Sequence, residues 1–136
     1  MNLNKIYHWP IRVYYEDTDA GGVVYHARYV AFFERARTEL LRTLGFSQQR
    51  LLQEDVAFAV RRMSIEFHRP AVLDDELEIE TEITELNHAS IIFEQRLFRK
   101  ENQVLLSQAN VVVASVSKTK MKAMRLPASI KNGVVL

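Results

Sequence analysis

The chain has 136 residues, 48% of them hydrophobic and 26% charged, and its 18 Lys and Arg against 17 Asp and Glu leave a formal charge of +1. This balance fits one globular domain, 1–136, and carries no electrostatic footprint for nucleic acid. There is no cysteine, which excludes disulfides, thiolate metal sites and cysteine nucleophiles and suits a cytoplasmic setting.

The opening segment, MNLNKIYHWP, lacks the apolar core of a secretory signal. After Pro10, the residues Ile11, Val13 and Tyr15 alternate with Arg12 and Tyr14, which predicts a strand. An acidic loop follows with Glu16, Asp17 and Asp19, then Gly21 and Gly22, and it ends at His26. From about Ala27 the period becomes helical. Tyr29, Val30, Phe32, Phe33, Ala36, Leu40, Leu41 and Leu44 fall within an arc of roughly 180°, with Arg35, Thr38, Glu39 and Arg42 opposite. Gly45 stands where a helix commonly ends in a left-handed residue. Arg37 falls inside the apolar arc, which is read as a snorkelling side chain or a pair with Glu34.

SQQRLLQED predicts a short helical turn or two. Beyond it the chain alternates almost to its end. Met63, Ile65 and Phe67 oppose Ser64, Glu66 and His68. Leu77, Ile79 and Ile83 oppose Glu76, Glu78, Glu80 and Glu82, so this strand has a wet face. SIIFEQRLF follows, then a turn at KENQ, and the apolar middle of VLLSQANVVVASV suits a central strand. The longest uncharged run is too short to span a bilayer, so no transmembrane segment is expected. One early strand, one long helix and about four consecutive antiparallel strands predict an α+β domain in which a curled sheet buries the helix.

The acidic loop admits several readings. As a calcium loop starting at Asp17 it would place Gly21 at a ligand position and Arg28 where a bidentate Glu is required. The four histidines, His8, His26, His68 and His88, have no paired ligand spacing, so no metal is expected. AGGVVY has neither the glycine spacing nor the lysine of a phosphate loop. Helix capping explains one acid, but not three acids with two glycines. Two readings stay open: a plain turn and cap, and a catalytic or binding carboxylate, Asp19, held near a helix start whose unsatisfied N–H groups stabilise a developing oxyanion. A thioester suits such a site, since its carbonyl is weakly resonance-stabilised and its thiolate leaves readily. With no G-x-S-x-G elbow and no cysteine, a hydrolase on this chain is driven by a carboxylate.

These residues resemble a known family. VYYEDTDAGGVVYHARYVAFFERARTELLRTLGF looks like the front of the hot-dog acyl-CoA thioesterases of the 4-hydroxybenzoyl-CoA thioesterase type, and most like the YbgC group of the bacterial Tol–Pal cluster. VLDDELEIETEI and KMKAMRLP extend the likeness over nearly the whole chain. The resemblance implies a hot-dog fold, a curved antiparallel sheet of about five strands wrapped around one long central helix. It also implies subunits paired as a homodimer or homotetramer, an active site at their interface and no cofactor. Asp19 corresponds to the catalytic carboxylate, as nucleophile or general base. Tyr15 and His26 match further motif positions, and the His26 N–H corresponds to the donor that polarises the thioester carbonyl. The plainer readings are a core Tyr15 and a helix-start His26 without a chemical role. Glu16 and Asp17 are read as supporting loop acids.

The late segment SKTKMKAMR carries Lys118, Lys120, Lys122 and Arg125, read either as a solvated face or as a contact for the phosphates of coenzyme A. Met121 and Met124 would pack beneath the pantetheine arm or fill the core. The expected activity is hydrolysis of a short-chain acyl-CoA to free acid and coenzyme A. Dehydration of an acyl thioester would want a His–acid pair across the interface, and Asp19 ahead of the helix fits hydrolysis better. The alternative from another class is a binding module for acyl carrier protein or an envelope-lipid enzyme, with weak hydrolysis.

Overall fold

Residues His26–Thr43 form the long helix, α1, starting one residue before the position its periodicity predicts. The computed structural model describes residue 3 and residues 5–135. The buried face of α1 carries Tyr29, Phe32, Phe33, Ala36, Leu40 and Leu41, all within the predicted arc, whereas Val30 at its margin stays exposed. The helix ends as Gly45 implies. Gly45 takes a φ of +90°, its N–H donates to the Arg42 carbonyl, and the Phe46 N–H donates to the Leu41 carbonyl. This left-handed cap satisfies carbonyls of the last turn, and the Leu41 carbonyl also accepts the Leu44 N–H at 3.1 Å.

Around α1 run β1 (Tyr7–Arg12), a 3₁₀ turn (Tyr15–Asp17), α2 (Gln48–Gln53), β2 (Val56–Phe67), β3 (Glu76–Leu86), β4 (Ser90–Arg99), β5 (Val104–Ser117) and α3 (Ala128–Val135). The strands form one sheet in the order β1-β3-β4-β5-β2, and every pair is antiparallel. β4 is its centre and β5 is interior, as the apolar run of β5 predicts. β1 lies at one edge, where Pro10 lacks an N–H without disrupting a central ladder. β2 is the other edge and carries a bulge between Val60 and Arg62. The four glutamates of β3 face outward, and Arg96 on β4 bridges Glu80 at 3.0 Å and Glu82 at 3.1 Å. The opposite face, with Leu77, Ile79, Ile91, Phe93, Leu97 and Val111, closes over α1. Among the described residues no helix is long and apolar enough to cross a membrane.

Two local expectations fail. The first strand stops at Arg12, and Tyr15 is neither in it nor in the core, being 82% exposed. The Asp17 carboxylate accepts the Tyr14 N–H at 2.9 Å and turns the chain out of its extended path, a side-chain bond that competes with the sheet. Arg37 neither snorkels nor forms an ion pair with Glu34. It is buried and donates through Nη1 to Oε1 of Gln95 at 3.1 Å. Gln95 in turn donates to the Phe33 carbonyl at 2.9 Å and to Oγ1 of Thr81 at 3.0 Å. The helix α3, on which the sequence reading is silent, has no strong helical period and is anchored by buried Ile130.

Candidate active site

The loop between β1 and α1 is built around Asp17, which is 3% exposed. One carboxylate oxygen accepts from Nε of Arg28 at 2.9 Å and lies 2.7 Å from its Nη2. The other takes the Tyr14 N–H, and the Asp17 carbonyl accepts the N–H of Tyr25, the residue that precedes α1. Asp17 thus ties both ends of the loop to the first turn of the helix.

Beyond it the chain makes a tight excursion. The Gly22 N–H donates to the Asp19 carbonyl at 3.0 Å, the Asp19 N–H donates to the Val23 carbonyl at 2.9 Å, and Thr18 bridges Val24. Gly22 has a φ of +80°, which a side chain would make costly. The Asp19 carboxylate accepts the Gly21 N–H at 2.8 Å and remains exposed. The two glycines therefore serve the turn that presents Asp19.

The start of α1 has no side-chain cap and no acid in its first turn. The Arg28 N–H donates to the Tyr25 carbonyl at 2.8 Å. The N–H groups of His26 and Ala27 have no acceptor among the described residues. These free donors lie at the positive end of an 18-residue helix. Beside them is a cleft of about 260 Å³ lined by Val24, His26, Tyr29, Phe67, His68, Arg69 and Pro70. The His26 ring packs on Tyr25 with centroids 4.5 Å apart and meets Phe67 edge-on at 6.5 Å. The Tyr29 hydroxyl accepts the Ala71 N–H at 3.0 Å, and burial pushes its pKa up, partly offset by that bond. The cleft is thus largely apolar-walled, and of the two residues whose N–H has no acceptor among the described residues, His26 lines it and Ala27 follows in the chain.

His26 is the one predicted catalytic residue that lines this cleft; Asp19 and Tyr15 do not. Among the described residues, no hydrogen bond or ring contact joins any two of the three. Sequence reasoning read Phe67 and His68 only as strand alternation, and it missed their place opposite the helix start. It also missed the pairing of Arg28 with Asp17, although Arg28 was the residue that spoke against calcium.

Lys118, Lys120, Lys122 and Arg125 are all exposed on the segment after β5. Met121 among them is 74% exposed, while Met124 packs against the core. The segment is pinned by Asp55, whose carboxylate accepts from the Ser117 hydroxyl, the Thr119 N–H and the Thr119 hydroxyl. The Ser117 bond, followed by the Thr119 N–H, holds the Asp55 carboxyl below its ordinary pKa.

Residues 21–106 match the Thioesterase superfamily. The chain is 59% identical over 125 residues to the acyl-CoA thioester hydrolase YbgC of Escherichia coli O6:H1, covering 92% of each. It is 55% identical over 130 residues to the acyl-CoA thioesterase YbgC of Haemophilus influenzae, covering 95% of this chain and 94% of that one. The crystal structure of a probable thioesterase from Bartonella henselae superposes with a TM-score of 0.84 at 41% identity, covering 90% of this chain and all of the other.

Proposed function

The chain belongs to the Thioesterase superfamily and has the hot-dog fold, and from that premise we propose that it hydrolyses short-chain acyl-CoA thioesters with Asp19 as the driving carboxylate. The observation that carries this reading is the pair of unpaired N–H groups, His26 and Ala27, beside an apolar cleft. A thioester carbonyl set against these donors develops its negative charge towards the positive end of α1, where each donor contributes roughly 2.7–4 kcal/mol. Asp19 acts either by taking a proton from the attacking water or by attacking the carbonyl carbon itself, and both routes need its charge. In the balanced reaction the C–S bond breaks, water supplies the new oxygen, and the products are a carboxylic acid and a thiol. The His26 ring borders the substrate from the helix side. A role for Tyr15 rests on the motif alone.

The part of the cleft formed by one chain is about 260 Å³, and a short acyl group fits within it without help from a second copy. Lys118, Lys120, Lys122 and Arg125 serve the phosphates of coenzyme A. This substrate class fits a cytoplasmic enzyme. Asp19 lies outside its own chain's cleft, and the edge strand β2 leaves Val60 and Phe67 half exposed. Both observations favour a site completed between two copies, in a homodimer or a pair of such dimers.

The test is thiol release from a panel of acyl-CoAs by the intact protein and by Asp19→Asn, with folding checked by circular dichroism. The expected result is turnover by the first and a kcat at least about 10²-fold lower for the second. Equal turnover by both would remove Asp19 from the mechanism.

A further inference from the structure

A second cavity, of about 80 Å³, lies between the later half of α1 and the sheet. Its walls include Leu41, Phe58, Ile91 and Phe93, and Arg37 reaches it from the helix. Arg37 is 6% exposed, yet its one hydrogen bond among the described residues goes to the neutral amide oxygen of Gln95. A guanidinium has five N–H donors in a planar fork. Gln95 is itself held by Phe33 and Thr81, so it fixes the head of Arg37 and cannot turn to offer more. Glu34, one turn back, lies on the rim of the cavity and is not within ion-pair distance. Burial pushes the Arg37 pKa down only to about 10, so the group stays cationic at neutral pH.

A buried cation with no anion in direct contact is costly, and the charge of Glu34 nearby offsets burial only in part. The free nitrogens of Arg37 are not among the fully buried, unpartnered atoms, of which Ser115 Oγ is the sole case in the described residues. Arg37 is one of the residues that line the cavity. The arrangement is a small chamber with an apolar floor and an immobilised guanidinium in its wall, with Glu34, Thr38 and Gln48 as its other polar lining, a match for a carboxylate on a compact hydrocarbon body. The volume excludes a long chain, and a free inorganic anion would leave the aromatic and aliphatic walls unused.

We propose that the cavity beside Arg37 binds a small monocarboxylic acid as its carboxylate, the class of product that thioester hydrolysis releases. The choice of acid rests on the proposed hydrolysis. The binding itself is measured without turnover, so the two readings fail separately.

The experiment titrates the folded, full-length protein with isobutyrate in the millimolar range, following the ring-proton signals of Phe58 and Phe93 by nuclear magnetic resonance. Isobutyramide, of the same shape without charge, is the control. Saturable shifts are expected with isobutyrate at an affinity about tenfold or more above that for the amide, the difference of one charge-assisted contact. Arg37→Met should abolish binding while keeping the core filled. Gln48→Trp, a rim change that leaves Arg37 intact, should weaken it too and guards against a folding defect in the first variant. No saturable shift in the intact protein, equal binding of the amide, or undiminished binding by Arg37→Met would each overturn the proposal. So would a cavity already filled by a second copy, seen as no isobutyrate binding together with weaker self-association of Arg37→Met.

Discussion

Asp17 and Arg28 are eleven residues apart, and their ion pair at 2.7 Å clamps the acidic loop to the first turn of the helix it precedes. The carboxylate is almost fully buried and the guanidinium is about a third exposed, so the pair is screened on one side only. It sets where the N–H groups of His26 and Ala27 point, and where Asp19 is carried relative to them.

Asp17→Asn keeps the shape of that clamp and removes its charge. The expected loss is about 2 kcal/mol in urea unfolding, since a hydrogen bond to a charged group is worth more than a neutral one. Thioester turnover should fall with it, because the donors at the helix start lose their fixed direction. Asp19→Asn should differ in leaving stability within about 0.5 kcal/mol, as befits an exposed side chain. Comparing unfolding midpoints with kcat for the two variants separates holding the loop from doing chemistry.

Replacing Lys118, Lys120 and Lys122 together with Ala should raise KM for an acyl-CoA several-fold while changing kcat little, since on the proposed reading these exposed groups meet only the non-reacting end of the substrate. The effect should shrink as ionic strength rises, because surface charges are screened over about 10 Å at 0.1 M salt. An acyl-pantetheine, which has no nucleotide phosphates, should show no such rise. Steady-state kinetics on the two substrates at two salt concentrations checks all three points.

Asp55 gives a dependence on pH with a definite sign. Its carboxyl is held below the ordinary value by Ser117 and then Thr119, so its charged form is favoured in the folded chain. The stability it contributes is complete above the unfolded carboxylate range and is lost as pH falls through the lowered folded value. Ser117→Ala should move the titration of Asp55 back upward, as read from its side-chain carbon resonance. Below that range the segment carrying the lysines should come loose, and KM for acyl-CoA should rise.

Much of this could be read from the chain itself, for a physical reason. The helix of residues 26–43 repeats its apolar positions at its own period, and β3 alternates leucine and isoleucine with glutamate, so each states its buried face locally. Gly45 marks the helix end because only a left-handed residue permits that cap. Tyr15 went astray because Asp17 pulls the backbone out of the strand, which no alternation pattern encodes. Arg37 went astray because its partner, Gln95, lies 58 residues away on another element. Unsatisfied donors at the helix start were expected, with only the His26 N–H named, but the cleft beside His26 depends on Phe67 and His68, which arrive from the far edge of the sheet.

The bare start of α1 also bears on what this protein can become. A Ser, Thr, Asp or Asn before a helix typically stabilises it by about 1 kcal/mol, yet Tyr25 holds that place and offers no acceptor. A chain selected only for robustness would fill the position and so satisfy the donors at the helix start. On the proposed reading the fold keeps one end of its main helix unfinished, and the substrate completes it for as long as the reaction lasts. Screens for heat-resistant variants should therefore find gains near residue 25 that come with slower turnover, and gains elsewhere that do not.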